Sequence, residues 1–147
     1  MQTYLFTWNP RRWRWTDFDE LVSKIERDGR VLDRWSSGVT RKIFPGDRFF
    51  LMRLGVPPKG IIGGGVINSK PFHHRHWRAK EAIKGNSAIY VDIFFEWLLP
   101  APAIALERLE APEFQPFNWT PRASGSRIPE NIAQQLHLLS PIRSKVK

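Results

Sequence analysis

The sequence predicts an α+β domain in which a small curved sheet or barrel of five to six strands carries helices on its outside. Short runs of β-branched and aromatic residues, separated by turn residues, indicate the strands. Apolar residues at helical spacing occur near both ends of the chain and indicate two helices. Strands and helices alternate too sparsely for a parallel α/β sheet, so that class is not expected.

The strands are expected at residues 3–8, 30–35, 48–53, 60–69 and 89–99. Pro10 ends the first strand, and Pro45 with Gly46 forms a turn before the third. The fourth strand contains three consecutive glycines at 63–65, which weaken a strand and therefore indicate close packing, a bulge or a sharp bend. They do not form a phosphate-binding P-loop, because the Lys-Ser/Thr ending is missing.

The first helix is predicted between Thr16, which can cap it, and Gly29, which can end it in the left-handed conformation. Its apolar stripe consists of Phe18, Leu21, Val22 and Ile25. The last helix is predicted to begin at Pro129, a good first helical position. Its inward-facing residues are expected to be Ile132, Leu136 and Leu139.

The segments between these elements are expected to be mostly irregular. Residues 70–88 are polar and basic and indicate a long connection, whereas residues 103–110 indicate a short helical piece. Residues 1–140 have the length of one domain, and residues 141–147 indicate a basic tail or linker.

The charge of the chain favours a polyanionic partner. Lys and Arg together number 23 against 14 Asp and Glu, which gives a formal net charge of +9. Cations of this kind release counterions from phosphates, and the seven tryptophans offer rings for stacking on bases, at about 1–3 kcal/mol per base. A basic solvated surface without a nucleic-acid ligand is the alternative.

Several classes of protein are disfavoured. The chain has no cysteine, which excludes disulfides and thiolate metal sites and fits a reducing cytoplasm. The N-terminal sequence lacks the apolar run of a signal peptide, and no stretch of about 18 apolar residues could span a membrane. We expect a cytoplasmic domain with no membrane association and no cofactor.

The sequence contains no recognisable catalytic set. No GxSxG elbow and no ordered Ser-His-Asp set is present, so no catalytic residue is expected. Lys42 with Asp47 is the candidate pair for a hydrolase, but no motif fixes the geometry of these two residues.

Three of the four histidines lie in the segment "HHRHW", at positions 73, 74 and 76. A metal site normally takes ligands from at least two elements, and no carboxylate lies at ligand spacing nearby, so no metal is expected here. The segment is interpreted instead as a phosphate-facing loop. Its candidate backbone contacts are Lys70, His73, His74, Arg75, Arg78, Lys80 and Lys84.

Several tryptophans stand at strand ends beside small or polar residues. A pocket for a flipped base needs rings on both faces of the base and polar groups at its edge. Trp35 with Ser36 and Ser37, Trp8 with Asn9, and Trp119 with Asn118 offer this combination. The alternative is packing, with Trp35 closing one end of a barrel.

Four further residues are assigned from their surroundings. Trp97 lies in a dense apolar run and is expected in the core, whereas Trp13 and Trp15 are expected to form a hydrophobic lid beside the first helix. Asp92, in the strongest strand, could accept a hydrogen bond from a base or pair with an arginine, and the structural role is favoured.

An ordered set of segments resembles the EVE-type domains of the PUA-like superfamily, which are related to YTH and ASCH domains. The segments are "TWNP", "RWSSG", "PGDR" and "NWTPRASGSRIP", and the likeness runs from about residue 3 to residue 139. It is greatest to the version found at the N-terminus of bacterial HNH endonucleases. The resemblance implies a PUA-like curved mixed β-barrel flanked by helices.

The resemblance also implies a function and a site. Such domains bind RNA or DNA, and EVE domains are associated with reading modified cytosine that is flipped into an aromatic pocket. By position, Trp35 and Ser36 match the pocket, Trp8 and Asn9 match the end of the first strand, and Phe72 and Trp77 lie near its rim. The late loop is matched by "NWTPRASGSR", in which Arg122 and Arg127 could meet phosphate.

One departure concerns cleavage. The HNH relatives carry cysteine pairs and a metal-binding nuclease after this domain, and neither is present in this sequence. Cleavage is therefore not expected, and the chain is interpreted as a stand-alone reader or as a reader whose nuclease effector is a separate module or chain.

The leading hypothesis is a non-catalytic module that recognises a modified base, in DNA rather than RNA, in a restriction or defence setting. Arg11, Arg12 and Arg14 would hold phosphates together with the basic segment 70–84. The alternatives are an RNA-binding domain like the PUA and YTH relatives, a small-ligand-binding or hydrolytic protein like some ASCH relatives, and a purely structural interaction domain.

Overall fold

The computed structural model describes residues 1–141, so the predicted tail lies almost entirely outside the described residues. The strands are β1 (Thr3–Trp8), β2 (Val31–Ser36), β3 (Arg48–Arg53), β4 (Gly60–Ile67), β5 (Phe72–Arg75), β6 (Ser87–Leu98), β7 (Ile104–Ala105) and β8 (Ser126–Ile128). The helices are α1 (Phe18–Asp28), α2 (Ala79–Ile83) and α3 (Glu130–Leu139), with 3-10 turns at Leu106–Glu110 and Pro112–Phe114. The predicted α+β class is confirmed.

All eight strands join one mixed, curved sheet. Its main path runs β2-β6-β4-β3-β1-β8, while β5 pairs with β6 and β7 pairs with β4. The pairing of β1 with β3 is parallel and the others are antiparallel. The path does not return to its first strand, so the described sheet is curved but open rather than a closed barrel.

The prediction of five to six strands was too low because the three additional strands carry little sequence signal. β7 and β8 have two and three residues, which is too short to show a period of two. β5 has the sequence FHHR, with three exposed residues, and forms because β6 supplies its hydrogen-bonding partner. The expected long connection at 70–88 therefore contains β5 and the five-residue helix α2.

The glycine run lies in β4, where both close packing and a bulge are present. The pairing of β4 with β6 shifts register between Gly64 and Gly65. A Cβ atom on Gly65 would stand 1.9 Å from the carbonyl oxygen of Phe94, and one on Gly64 would stand 2.8 Å from the indole nitrogen of Trp97. The absence of side chains here lets the neighbouring backbone and ring approach the strand directly.

The two faces of the sheet carry two separate apolar clusters, as the alternation of side chains along a strand requires. The cavity-side cluster lies under α1 and includes Phe6, Trp8, Trp15, Trp35, Phe49 and Phe95. The α3-side cluster lies under α3 and the 3-10 turns and includes Leu5, Phe50, Trp97, Phe114, Trp119 and Leu136. Leu139 was expected to face inward but is 41% exposed, because α3 ends there.

Candidate nucleic-acid interface

A cavity of about 700 Å³ opens beside the ends of β1 and β2. Its walls come from these two strand ends, the loop after β3, the start of β6, the segment around β5 and the late loop before β8. The lining includes Trp8, Asn9, Trp13, Trp35, Ser36, Val39, Trp77, Tyr90 and Arg122. Segments that are distant in the chain therefore meet at one concave surface of a size typical of ligand sites.

The chain reverses immediately after β1 and brings a second indole onto the cavity wall. The amide nitrogens of Arg12 and Trp13 donate to the carbonyl oxygen of Asn9, at 2.9 and 3.1 Å. The indole nitrogen of Trp8 donates to the carbonyl oxygen of Trp13 at 3.0 Å. Trp13 was predicted to be part of a lid, but it lines the cavity next to Trp8.

Trp35 serves both packing and the cavity wall. Its side chain is 8% exposed, and its indole nitrogen donates to the carbonyl oxygen of Thr7 at 3.1 Å. The ring contacts Trp13 edge-on, with centroids 5.6 Å apart, and lies 4.8 Å from the ring of Trp15. The buried Trp15 also lies behind Trp8, at 5.1 Å. It is therefore a backing ring for the three indoles on the wall.

The serines that follow Trp35 have separate roles. Ser36 lines the cavity, and its hydroxyl oxygen accepts a hydrogen bond from the amide of Gly38. Ser37 is fully buried, does not line the cavity, and donates its amide to the carbonyl oxygen of Ile89 at 2.9 Å. Ser36 is thus the member of the pair that has access to a ligand.

The late loop packs backbone to backbone against the loop after β2. Gly38 has φ +64°, and a Cβ atom there would stand 2.4 Å from the carbonyl oxygen of Ser124. The hydroxyl of Thr40 donates to the carbonyl oxygen of Gly125 at 2.7 Å. These contacts hold Arg122, which belongs to the late loop, on the same cavity as Trp35.

The segment around β5 and the start of β6 forms another part of the wall. Trp77 is partly buried and stacks on His76, with ring centroids 5.0 Å apart. Tyr90 donates its hydroxyl to the carbonyl oxygen of Arg75 at 2.6 Å. Burial raises the pKa of this hydroxyl, and the nearby Arg34 opposes the shift. Replacing the ring of Trp77 would therefore disturb less packing than replacing the ring of Trp35.

The charged groups on the cavity wall all have the same sign. Four cationic residues line it, namely Arg12, Arg34, Lys59 and Arg122, and the imidazole rings of His73 and His76 also line it. Among the described residues, no Asp or Glu lines the cavity. An anionic ligand would therefore be attracted to the opening.

Four residues predicted for the base pocket do not line this cavity. Trp119 lies in the α3-side cluster, where its indole nitrogen donates to the carbonyl oxygen of Phe114 at 3.0 Å. Phe72 packs near Tyr90, beneath the guanidinium of Arg34. Ser37 and Asp92 are the other two, and Asp92 lies on β6 opposite Arg34 of β2.

Three of the phosphate candidates line the cavity and nine do not. Arg12, His73 and Arg122 line it. The remaining candidates are exposed and lie outside the lining: Arg11, Arg14, Lys70, His74, Arg75, Arg78, Lys80, Lys84 and Arg127. Lys84 faces Glu81 at 3.6 Å, and Arg127 donates to the side-chain oxygen of Gln2 at 2.8 Å.

Several cavity residues were not identified from the sequence as site residues, among them Trp13, Arg34, Val39, Lys59 and Tyr90. Tyr90 and Arg34 lie in strands whose alternation only indicates a half-buried sheet. Lys59 follows two prolines in a loop without a motif. Only the repeated tryptophans of "RRWRW" provided a signal, and it was interpreted as a lid.

Asp47, one of the two residues of the candidate hydrolase pair, is bonded to the backbone. The carboxylate of Asp47 accepts hydrogen bonds from the amides of Gln2 and Phe44, at 2.9 and 3.0 Å, and does not line the cavity. The Lys42–Asp47 pair is thus not in the cavity. Within residues 1–141, no cluster of three His, Asp or Glu could hold a metal ion.

No helix in the described part of the chain is long and apolar enough to cross a membrane.

Comparison with known proteins shows relatives of the fold among solved structures. A protein from Pseudomonas syringae is 22% identical, covers 94% of this chain and 99% of its own, and gives a TM-score of 0.60. A hypothetical protein from Leishmania major is 12% identical, covers 100% and 98%, and gives 0.65. Human THYN1, crystallised in complex with DNA containing 5-methylcytosine, is 13% identical, covers 92% and 95%, and gives 0.57.

These similarities show that the chain shares its fold with these solved structures over nearly its whole length. No protein-family model matches the sequence, and no curated protein matches it. The similarity therefore concerns the fold, and function has to be argued from the cavity.

Proposed function

We propose that this chain is a nucleic-acid-binding module that takes a modified base, most simply a modified cytosine in DNA, into the cavity between β1 and β2. The observation that carries the proposal is the composition of the wall. Indole rings stand on it together with four cations and no carboxylate among the described residues. Rings can stack on a base while cations hold the adjacent phosphates.

The fold relative supports the choice of ligand. Human THYN1 has a similar fold and binds DNA containing 5-methylcytosine. A base within a duplex cannot reach a concave pocket unless it leaves the stack, so we propose that the target nucleotide is flipped. Ser36 and Asn9 offer hydrogen-bonding groups on the wall, and Trp77 faces the ligand from the exposed side.

Discrimination requires a close fit in addition to charge. A methyl-sized group adds only about 1–3 kcal/mol in a pocket that encloses it. The buried rings of Trp8 and Trp35 are fixed by hydrogen bonds to backbone carbonyls and by Trp15 behind them. A wall fixed in this way keeps its shape when a base enters, which favours selectivity.

The restriction or defence setting, and a nuclease effector as a separate module or chain, form part of the proposal. A reader without a catalytic set needs a partner to act on the DNA that it finds. The basic segment around β5 and α2 and the exposed arginines after β1 would hold the duplex on either side of the cavity.

The test measures binding by fluorescence anisotropy at two salt concentrations. The probes are duplexes that differ in one cytosine, which is unmodified, methylated or hydroxymethylated, together with an N6-methyladenine duplex and an RNA of the same sequence. We expect one modified-cytosine duplex to bind about tenfold more tightly than the unmodified one. Equal binding of all probes, or a preference for unmodified RNA, would overturn the proposal.

Two variants locate the selectivity. Trp77→Ala removes a partly exposed wall ring and should abolish most of the preference while leaving the salt-sensitive background. Phe117→Ala is the control, because Phe117 is also partly buried but packs on Trp119 outside the cavity. An equal loss of preference in both variants would show that the cavity is not the binding site.

A further inference from the structure

Val39 is an unusual residue on the cavity rim. It is an apolar, β-branched residue that is 86% exposed, yet it lines the cavity. Arg41 and Lys42, both exposed, follow it in the same loop. An isolated exposed valine is ordinary on a protein surface. What distinguishes Val39 is its place on the rim and the contacts that fix the loop carrying it.

The loop that carries Val39 is fixed on both sides. Before it, the amide of Ser37 donates to the carbonyl oxygen of Ile89, and Gly38 lies against the backbone of Ser124. After it, Thr40 donates its amide to the carbonyl oxygen of Ser37 and its hydroxyl to that of Gly125. The loop is therefore anchored to two other segments, while its apolar tip points away from them.

A fixed apolar tip at the rim of a cavity that takes a flipped base has a specific use in DNA binding. When a nucleotide leaves the duplex, it leaves a gap, and proteins often insert an aliphatic side chain between base steps. A β-branched side chain suits this role because it has few rotamers to lose. Arg41 and Lys42 on one side and Arg122 on the other could hold the phosphates next to the gap.

We propose that Val39 is a wedge that occupies the space vacated by the flipped base. This inference rests on the proposed function, since it requires a base in the cavity. It adds a distinct element, a residue that acts on the duplex and not on the flipped base. Val39 would then matter for paired DNA and not for a target that is already unstacked.

The experiment compares Val39→Ser with wild type on three probes that carry the same modified cytosine. The first is the paired duplex, the second has an abasic site opposite the modified cytosine, and the third is the single strand. The wedge predicts about tenfold weaker binding of the paired duplex by Val39→Ser. Binding to the single strand should be unchanged, and the abasic duplex should show an intermediate loss.

Leu32→Ser is the matched control, because Leu32 is an exposed aliphatic residue on β2 that does not line the cavity. It should bind all three probes as wild type does. Substitutions at such exposed positions change stability by about 0.5 kcal/mol or less, which urea unfolding of both variants would check.

The outcomes separate the two proposals. If wild type prefers the modified probes and Val39→Ser binds the paired duplex like wild type, the wedge is wrong and the reader stands. If Val39→Ser weakens the duplex and the single strand equally, Val39 contacts the strand or the base, and the wedge is also wrong. If wild type shows no preference for the modified base in any probe, the proposed function fails and the wedge fails with it.

Discussion

Two groups of tryptophans on the two faces of one sheet behave differently. On one face, Trp8, Trp13 and Trp35 stand with Trp15 behind them and border an open cavity. On the other face, Trp97 and Trp119 are buried in a filled cluster under α3. The same residue type, often beside similar small and polar neighbours, thus forms a wall in one place and a core in the other.

The difference lies in what covers each face. On the α3-side face, Ile132 and Leu136 of α3 and Phe114 of a 3-10 turn fill the space over the strands. On the cavity side, α1 packs Leu21, Val22 and Ile25 into the cluster, while Trp8 and Trp35 of the same cluster also line the cavity. On this face, part of the aromatic cluster therefore borders a cavity instead of being filled over by a helix.

The largest expected effect tests this difference by stability. Trp119→Ala should lower the free energy of unfolding by about 3–5 kcal/mol, because it leaves a cavity in a filled cluster and removes the hydrogen bond to Phe114. Trp77→Ala should cost about 1 kcal/mol or less, because that ring is already partly exposed. Urea unfolding followed by circular dichroism measures both. Similar losses in the two variants would remove the distinction between wall and core.

A smaller effect tests the comparison by binding. Arg122→Ala, on the cavity, should weaken binding to all duplexes by about three- to tenfold and reduce the slope of log affinity against log salt by about one. Arg108→Ala, near the α3-side cluster and ion-paired with Glu113, is the matched control and should leave both unchanged. If Arg108→Ala reduces the salt slope as much as Arg122→Ala, DNA binds the other face.

A third effect concerns the pH dependence of stability and involves His137, which packs against Phe50 at the edge of the α3-side cluster. Burial and the nearby charge of Arg48 lower the pKa of His137 from its ordinary 6.5 to about 4. Between these two values the unfolded chain binds a proton that the folded chain does not. Stability is therefore fully present above pH 6.5 and is lost as the pH falls toward 4.

The loss attributable to His137 is on the order of 1–2 kcal/mol, since the side chain is only partly buried. It is measured as the difference in the free energy of unfolding between pH 7.5 and pH 4.5, compared between wild type and His137→Gln. The variant should show a flatter pH dependence. An unchanged pH dependence would mean that folding does not lower the pKa of His137.

The long, periodic elements could be predicted from the sequence, and the short paired ones could not. The stripe through Leu21, Val22 and Ile25 predicted α1, and the sequences of β1 and β3 predicted their exact spans. By contrast, β5 is polar and exists because β6 extends past β4 and offers it a partner. A strand held by pairing alone leaves no periodicity in its own sequence.

The positions of the candidate site residues show the same division. Trp8, Asn9, Trp35, Ser36 and Trp77 were expected near one pocket, and they line one cavity. Trp119, beside Asn118, had the same local pattern but lies in the filled cluster. Local neighbours indicate that a ring stands at the end of an element, whereas the helix that covers it belongs to another part of the chain.

The sequence by itself determined the basic charge, the wealth of indole rings, the main strands and the two longer helices, because composition and periodicity are local properties. The tertiary structure decided which rings border a cavity, that four cationic residues converge on it, and that Val39 stands exposed on its rim. These depend on contacts between residues far apart in the chain, such as Gly38 with Ser124 and Asn9 with Gly55. No local pattern encodes such contacts, because their energy depends on how whole elements pack together.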